Sequence, residues 1–96
     1  MIRQITLIKF KPGVTADDIK RFGEGFAAIS TVVEGIRRFE FGPNLKLIEN
    51  AYDYALVADF DSEASWKAYI ANPDHVAFAQ RFAPLGEAVV RAHYTV

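Results

Sequence analysis

The 96-residue sequence is notable first for what it lacks, beginning with cysteine, of which it has none. This absence excludes a disulfide framework, a thiolate metal site and a catalytic thiol. An excess of one charge is also missing, since 11 Lys and Arg stand against 12 Asp and Glu. A near-neutral chain without a basic cluster is not typical of nucleic-acid-binding proteins, which must neutralise several phosphates.

Long hydrophobic runs are missing as well. No apolar stretch approaches the length of about 18 residues that a membrane-spanning helix needs. The N-terminal residues Met1 to Ile5 do not show the charged and then apolar pattern of a signal peptide. We therefore expect a cytoplasmic protein without membrane contact. Linkers rich in Pro, Gly or Ser are absent too, which predicts a single domain over residues 1–96.

What the chain does have is hydrophobic residues, which make up 51% of it. A domain of about 100 residues hides somewhat under two-thirds of the surface of its unfolded chain. A small chain with this much apolar surface is expected to cover part of it by association. We therefore expect a second copy of the chain to supply the remaining cover.

Hydrophobic periodicity predicts the element order β-α-β-β-α-β. Four segments of β-branched and aromatic residues indicate strands: 2–10, 36–41, 52–60 and 88–96. After the first strand, apolar residues recur at spacings of three and four, and Thr15 with Asp18 has the pattern of a capping box at a helix start. The second helix follows Ser62, and Pro73 divides it because the residue before a proline disfavours helical backbone.

This order is that of the ferredoxin-like fold, an α+β arrangement in which a four-stranded antiparallel sheet carries both helices on one face. The opposite face of the sheet is too apolar to stay exposed to water. Its simplest cover is the same face of a second subunit under two-fold symmetry, which gives a dimeric α/β barrel. The residues predicted to form this homodimer contact are Ile5, Leu7, Ala55, Val57, Val90, Ala92 and Tyr94.

Four segments resemble the stress-responsive α/β-barrel domain family, also called the Dabb or dimeric A/B barrel family. They are IRQITLIKFKPGV (2–14), GIRRFEFGPN (35–44), YDYALVADFDS (52–62) and YIANPDHVAF (69–78). The resemblance covers essentially the whole chain and implies the same fold and barrel dimer. Many family members have no assigned activity. Plant relatives include stress-associated stable proteins, antifungal proteins and a polyketide cyclase that closes an aromatic ring by aldol condensation.

The resemblance to the cyclase implies roles for two residues in the last segment. The cyclase uses a His as general base and a Tyr that positions the substrate, and these positions match His75 and Tyr69. The chain departs from the family where His is frequent, with Gln4 in the first strand and Asn72 before the proline. Arg91 stands where the cyclase has an aliphatic pocket residue, and its positive charge suits an anionic substrate.

His75 allows three interpretations. A histidine pKa near 6.5 suits proton transfer at neutral pH, so His75 is the first candidate for a general base. It could instead contact a ligand without chemistry, or serve structure alone with its ring bonded to backbone. Gly23, beside the apolar stripe of the first helix, is similarly open to two interpretations, close packing or space for a ligand.

Two hypotheses about function follow. The first is a homodimer that binds a small organic molecule between sheet and helices, without assured catalysis. Its alternative form is a cofactor-free, polyketide-cyclase-like lyase in which His75 is the base and Tyr69 the positioning donor. The second is a non-catalytic, stable dimer with a stress-related or interaction role. No cofactor is expected, and a metal site is not expected because His75 and His93 do not form a ligand-spaced pair. The residues predicted to line the pocket, besides Tyr69 and His75, are Gln4, Phe22, Phe26, Phe39, Leu56, Ala58 and Arg91.

Overall fold

A computed structural model describes residues 1–49 and 51–96. Its strands are β1 (Ile2–Phe10), β2 (Ile36–Pro43), β3 (Tyr54–Phe60) and β4 (Gly86–Thr95), and its α-helices are α1 (Ala16–Val32), α2 (Glu63–Ala71) and α3 (Pro73–Phe82). The strands form one sheet in the order β2-β3-β1-β4, and every neighbouring pair is antiparallel. The predicted ferredoxin-like α+β fold, with a second helix split in two, is confirmed.

The helix starts are set by local side-chain bonds. Thr15 Oγ1 accepts a hydrogen bond from the Asp18 backbone N–H at 3.1 Å, and the Asp18 carboxylate accepts one from the Thr15 N–H at 3.0 Å, which completes the capping box. Asn72 ends α2 and also caps α3, because its side chain accepts from the Asp74 N–H at 2.8 Å. Pro73 then occupies the first turn of α3, where its missing N–H costs nothing.

Three strand boundaries differ from the sequence-based expectation. Strand β2 continues to Pro43, which still pairs with Tyr54 of β3. Strand β3 begins at Tyr54, two residues later than predicted. Strand β4 already starts at Gly86, opposite Phe10, after an irregularity in the β1–β4 pairing. In each case the strand ends opposite the end of the strand that it pairs with. A local sequence pattern does not show which strands pair, so it could not predict these boundaries.

Alternate residues of each strand point to opposite faces of the sheet. On the helix-facing side, Gln4, Thr6 and Ile8 of β1 are all buried. The layer between sheet and helices contains two packed groups of buried side chains. The first, which we term the phenylalanine cluster, consists of Ile8, Phe10, Phe22, Phe26, Tyr54, Leu56 and Phe82. The second, which we term the closed cluster, consists of Ile29, Ala58, Phe60 and Tyr69.

The outer face of the sheet has an apolar centre and a polar end. Val57 in the centre is half-buried, whereas Val90 is 45% exposed. At the polar end, Nε and Nη2 of Arg3 donate to the buried Asp59 carboxylate at 2.7 and 2.9 Å. These bonds lower the pKa of Asp59 below its usual value, with the charges of Arg3 and Arg38 adding to the effect.

None of the helices among the described residues is both long and apolar enough to cross a membrane.

Candidate functional site

A pocket of about 310 Å³ lies between the sheet and α3, over the β1–β4 half of the sheet. Its size is at the small end of the range of about 300–1,000 Å³ that ligand pockets usually have. The sheet contributes mostly polar or branched side chains, and the helices contribute mostly aromatic ones. The lining residues are Gln4, Thr6, Ile8, Phe10, Phe22, Phe26, Leu56, Tyr69, Ile70, His75, Phe78, Ala79, Phe82, Ala83, Gly86, Glu87, Ala88, Val89 and Arg91.

The structure brings together most of the predicted site residues and leaves two apart. The predicted residues that line the pocket are Gln4, Phe22, Phe26, Leu56, Tyr69, His75 and Arg91. Phe39 and Ala58 do not line it, contrary to the prediction. Ala58 is 0% exposed within the closed cluster. Phe39 lies on β2, at the sheet edge opposite β4. The alternation of residues along the strands places Phe39 and Ala58 on the helix-facing side of the sheet. It does not show which half of that side contains the pocket.

Other lining residues were not predicted, although the sequence carried a signal for them. Thr6 alternates with Gln4 on one face of β1, and Val89 alternates with Arg91 on one face of β4. Second neighbours on a strand share one face of the sheet, so these residues were candidates once Gln4 and Arg91 had been named. Phe78 follows His75 by three residues on α3, so the two share a helix face.

Aromatic rings pack against one another along the helix side of the pocket. Ring centroids are 4.7 Å apart for Phe22 and Phe26, 4.6 Å for Phe26 and Phe78, and 4.9 Å for Phe78 and Phe82. These distances are typical of favourable edge and tilted contacts. Gly25 of α1 permits this packing, because a Cβ atom there would lie 2.7 Å from the Phe78 ring.

Gly23 serves packing and lies outside the pocket lining. A Cβ atom at this position would lie 3.0 Å from the Tyr54 hydroxyl oxygen and 3.8 Å from the Phe41 ring. The glycine therefore lets α1 approach β3 closely. Of the two interpretations offered by the sequence, the structure favours close packing.

The side chain of Gln4 is fixed by two bonds to its oxygen. Trp66 Nε1 lies 2.8 Å and His93 Nε2 lies 3.0 Å from Gln4 Oε1. An indole nitrogen can only donate, so the Gln4 atom that it meets is the amide oxygen, and His93 Nε2 must donate too. The amide nitrogen of Gln4 faces the other way and donates to Thr6 Oγ1 at 3.0 Å. The buried amide therefore has its donor side next to the pocket-lining Thr6.

His75 lies at the junction of α2 and α3 with one ring nitrogen occupied. Its Nδ1 is 3.3 Å from the carbonyl oxygen of Ile70. A carbonyl oxygen only accepts, so the neutral ring carries its proton on Nδ1 and leaves Nε2 with a free lone pair. Burial lowers the pKa of His75, the positive charge of Arg91 lowers it further, and the bond to Ile70 opposes the shift. The lowered pKa favours the uncharged form of the His75 ring.

Tyr69 is a buried hydrogen-bond donor beside His75. The side chain is 1% exposed, and its ring centroid lies 4.3 Å from that of His75. Burial raises the pKa of Tyr69 to about 12, against a smaller opposing effect of the Arg91 charge. The hydroxyl therefore remains protonated at physiological pH. Among the described residues none hydrogen-bonds this hydroxyl, so it is available to an oxygen atom bound in the pocket.

Two further hollows lie outside the pocket. One, of about 310 Å³, is lined by Trp66, His93 and neighbouring residues, and the other, of about 390 Å³, lies near Leu7 and Leu45. Within residues 1–49 and 51–96, no three His, Cys, Asp or Glu side chains are grouped as they would be to hold a metal ion. Neither hollow combines an aromatic wall with the polar groups found around His75.

Known proteins share both the sequence pattern and the structure. The family profile described as stress responsive A/B barrel domain matches residues 2–96. The stress-response A/B barrel domain-containing protein HS1 of Arabidopsis thaliana is 28% identical over 83 residues, which are 84% of this chain and 76% of that protein.

Solved structures show the same fold. A dimeric ferredoxin-like protein of unknown function from Thermobifida fusca superimposes with a TM-score of 0.93 and 29% identity, over 99% of this chain and 90% of that one. A hydroxynitrile lyase from Passiflora edulis gives a TM-score of 0.88 over 99% of this chain and 92% of that one. Its identity of 18% makes this a likeness of fold alone.

Proposed function

This chain belongs to the stress-responsive A/B barrel domain family, and we propose that it is a single-domain homodimer that binds a small organic molecule between its sheet and helices. The observation that carries this proposal is the pocket of about 310 Å³, which combines a wall of phenylalanine rings with a few polar side chains. This combination is typical of small-molecule sites. A chain without cysteine suits the reducing cytoplasm, where we propose that it works.

The homodimer is supported by the outer face of the sheet and by a solved relative. Val57, Val90 and Tyr94 leave apolar surface there that the chain itself does not cover. The similar protein from Thermobifida fusca is described as dimeric. We propose that the interface consists of the predicted residues Ile5, Leu7, Ala55, Val57, Val90, Ala92 and Tyr94.

A fragment screen by thermal shift tests ligand binding. A ligand present at 100 times its Kd stabilises the folded state by about 2.7 kcal/mol, which raises the melting temperature by several degrees. The variant Ala79→Trp places a large ring at a pocket-lining position and should abolish the shift. The matched control is Ala77→Trp, at an exposed position of α3 that is outside the lining. A screen without wild-type shifts, or with equal shifts in Ala79→Trp, would favour the non-catalytic stable dimer.

The second candidate function is a cofactor-free lyase or cyclase that moves a proton next to a carbonyl group. The observation in its favour is the pairing of the free Nε2 of His75 with the protonated hydroxyl of Tyr69 at one pocket. In this reaction Nε2 takes a proton from the carbon beside the carbonyl. The Tyr69 hydroxyl donates to the oxygen on which enolate charge develops.

Deuterium exchange tests this chemistry without knowledge of the natural substrate. The protein in D₂O is incubated with 4-phenyl-2-butanone, and NMR follows the loss of the protons next to the carbonyl. We expect His75→Ala to reduce the exchange rate about 100-fold or more, as general-base removal usually does. Tyr69→Phe should reduce it less. Equal rates for the wild type and His75→Ala would exclude this candidate and leave ligand binding as the function.

A further inference from the structure

Arg91 brings a positive charge to the pocket that no described carboxylate neutralises. It lies on the helix-facing side of β4, directly opposite Thr6 of β1, and it lines the pocket. Within residues 1–49 and 51–96 it takes part in none of the ion pairs. The acidic residue of the lining is Glu87, which lies four positions from Arg91 along β4. Its carboxylate oxygen Oε2 is 3.8 Å from Nζ of Lys9. A ligand with one negative charge would supply the missing partner.

Three uncharged polar side chains that line the pocket with Arg91 are hydrogen-bond donors, whereas Nε2 of His75 is an acceptor. The Gln4 amide nitrogen has two hydrogens, and one of them binds Thr6 Oγ1. Thr6 accepts that bond, so its own hydroxyl hydrogen is directed elsewhere. The hydroxyl of Tyr69, a residue that is 1% exposed, is a third donor on the same pocket. A group bound against these side chains must accept hydrogen bonds, and a charged acceptor forms stronger ones than a neutral acceptor.

The rest of the pocket limits the size and the charge of the ligand. A volume of about 310 Å³ and a wall that includes Phe22, Phe26, Phe78 and Phe82 suit a compact apolar body. A phosphate would bring two negative charges into this apolar space. Among the described lining residues Arg91 is the one Lys or Arg, so the second charge would have no cationic partner. An unpaired charge in such surroundings is costly. The pocket therefore suits a singly charged anion.

We propose that the ligand of this pocket is a small monocarboxylate with an aromatic or aliphatic body, an inference that rests on the proposed function of small-molecule binding. The Arg91 guanidinium pairs with the carboxylate at the sheet side. The Thr6 hydroxyl and the Gln4 amide nitrogen add donors beside it. The apolar body of the ligand lies among the phenylalanine rings. Trp66 and His93 act as positioning residues, because they hold the Gln4 amide with its nitrogen towards Thr6.

The test compares carboxylates with their amides, which have nearly the same shape and no charge. Phenylacetate, 3-phenylpropionate, phenylacetamide and 3-phenylpropionamide are titrated into the ¹⁵N-labelled protein, and NMR shifts give each Kd. We expect the Kd of each carboxylate to be lower than that of its amide by a factor of about ten or more, because a charged hydrogen-bonded pair adds this much affinity. Arg91→Gln should remove this preference by weakening the carboxylates much more than the amides, and Arg91→Lys should retain part of it. The matched control is Arg21→Gln, an exposed arginine of α1 paired with Asp17.

The possible outcomes separate this inference from the proposed function. Equal affinity for carboxylates and amides, or a preference that survives Arg91→Gln, would overturn the carboxylate assignment and leave small-molecule binding intact. The carboxylate assignment would also be overturned if carboxylates bind more tightly but shift NMR signals only of residues away from β4 and α3. If no probe binds and the fragment screen is also negative, both proposals fail. Arg91 is exposed, so its variants should fold, and the dispersion of the same NMR spectra verifies this.

Discussion

The two faces of the sheet consist of alternate residues of the same strands, yet they reach different environments. On the helix-facing side of β3, Leu56 and Phe60 are 2% and 0% exposed, because α1, α2 and α3 cover them. On the outer side Val57 is half-buried, and Val90 of the neighbouring β4 is 45% exposed. One face is covered within the chain, and the other is left with exposed apolar surface, which we propose a second copy of the chain covers.

The two faces should respond differently to mutation. Damage to the helix-facing side removes contacts within one chain and lowers its stability. Damage to the centre of the outer side should chiefly weaken association. Polar groups also differ between the faces, since hydrogen-bond donors on the helix-facing side line a pocket, whereas on the outer face Arg3 pairs with Asp59.

The largest effect is expected from a cavity on the helix-facing side. Phe60 is fully buried, and its ring centroid lies 5.0 Å from that of Tyr69. Phe60→Ala should reduce the free energy of unfolding by about 3–5 kcal/mol, measured by urea denaturation at fixed protein concentration. The control Val76→Ala, at a side chain that is 41% exposed, should change it by less than about 0.5 kcal/mol. A loss below about 1 kcal/mol for Phe60→Ala would contradict the assignment of this face as the core.

A charge in the centre of the outer face should break the dimer and spare the fold. Val57→Asp would place two carboxylates in the proposed interface, one from each subunit. We expect the dimer Kd to rise about 100-fold or more, since burial of an unpaired charge costs several kcal/mol. Sedimentation velocity over a concentration series measures this, with Val76→Asp as control. An unchanged Val57→Asp dimer would place the interface elsewhere, and a wild-type monomer at micromolar concentration would refute the homodimer.

Acid should weaken the polar end of the outer face. Bonds from Arg3 hold the pKa of Asp59 below its usual value in the folded protein, which is about 3.9 in unfolded chains. The pair therefore stabilises the fold fully above that value, and this contribution is lost as pH falls through the lower folded pKa. The urea midpoint of the wild type should fall between about pH 5 and pH 2. Asp59→Asn should be less stable at pH 6 and decline less steeply.

A control for this pH profile is Asp17→Asn, which removes an exposed pair with Arg21. Exposed pairs of this kind contribute little to stability, so its profile should follow the wild type. A decline in Asp59→Asn as steep as in the wild type would show that other carboxylates dominate acid unfolding.

The smallest effect concerns the pKa of His75. Burial and the charge of Arg91 lower this pKa, so the NMR titration of the ring should have its midpoint below the usual value for histidine. Arg91→Gln removes a positive charge that disfavours the charged ring, so the midpoint should move upward. Arg21→Gln should leave it in place. No movement in Arg91→Gln would mean that Arg91 and His75 do not share the pocket, which would also weaken the carboxylate inference.

Local patterns predicted which side of the layer the site residues occupy, and the resemblance to the family predicted Tyr69 and His75 as site residues. The stripe on α1 predicted Phe22 and Phe26, and alternation on the strands placed Gln4 and Arg91 on the helix-facing side. The sequence could not predict that Phe39 lies away from the pocket, because it does not show which part of the layer the helices fill. The fixed orientation of the Gln4 amide was also missed. It depends on Trp66, which is 62 positions away.

Local sequence patterns are sufficient for the order of the elements, the capping of α1 at Thr15, the break at Pro73 and the two faces of the sheet. These features follow from periods of two and of three to four residues and from bonds between near neighbours. Packing between distant elements closes the layer around Phe60 and leaves a pocket over the β1–β4 half of the sheet. The same packing sets which groups face the pocket, because Gln4 and His93, 89 positions apart, must meet before either side chain has a fixed orientation.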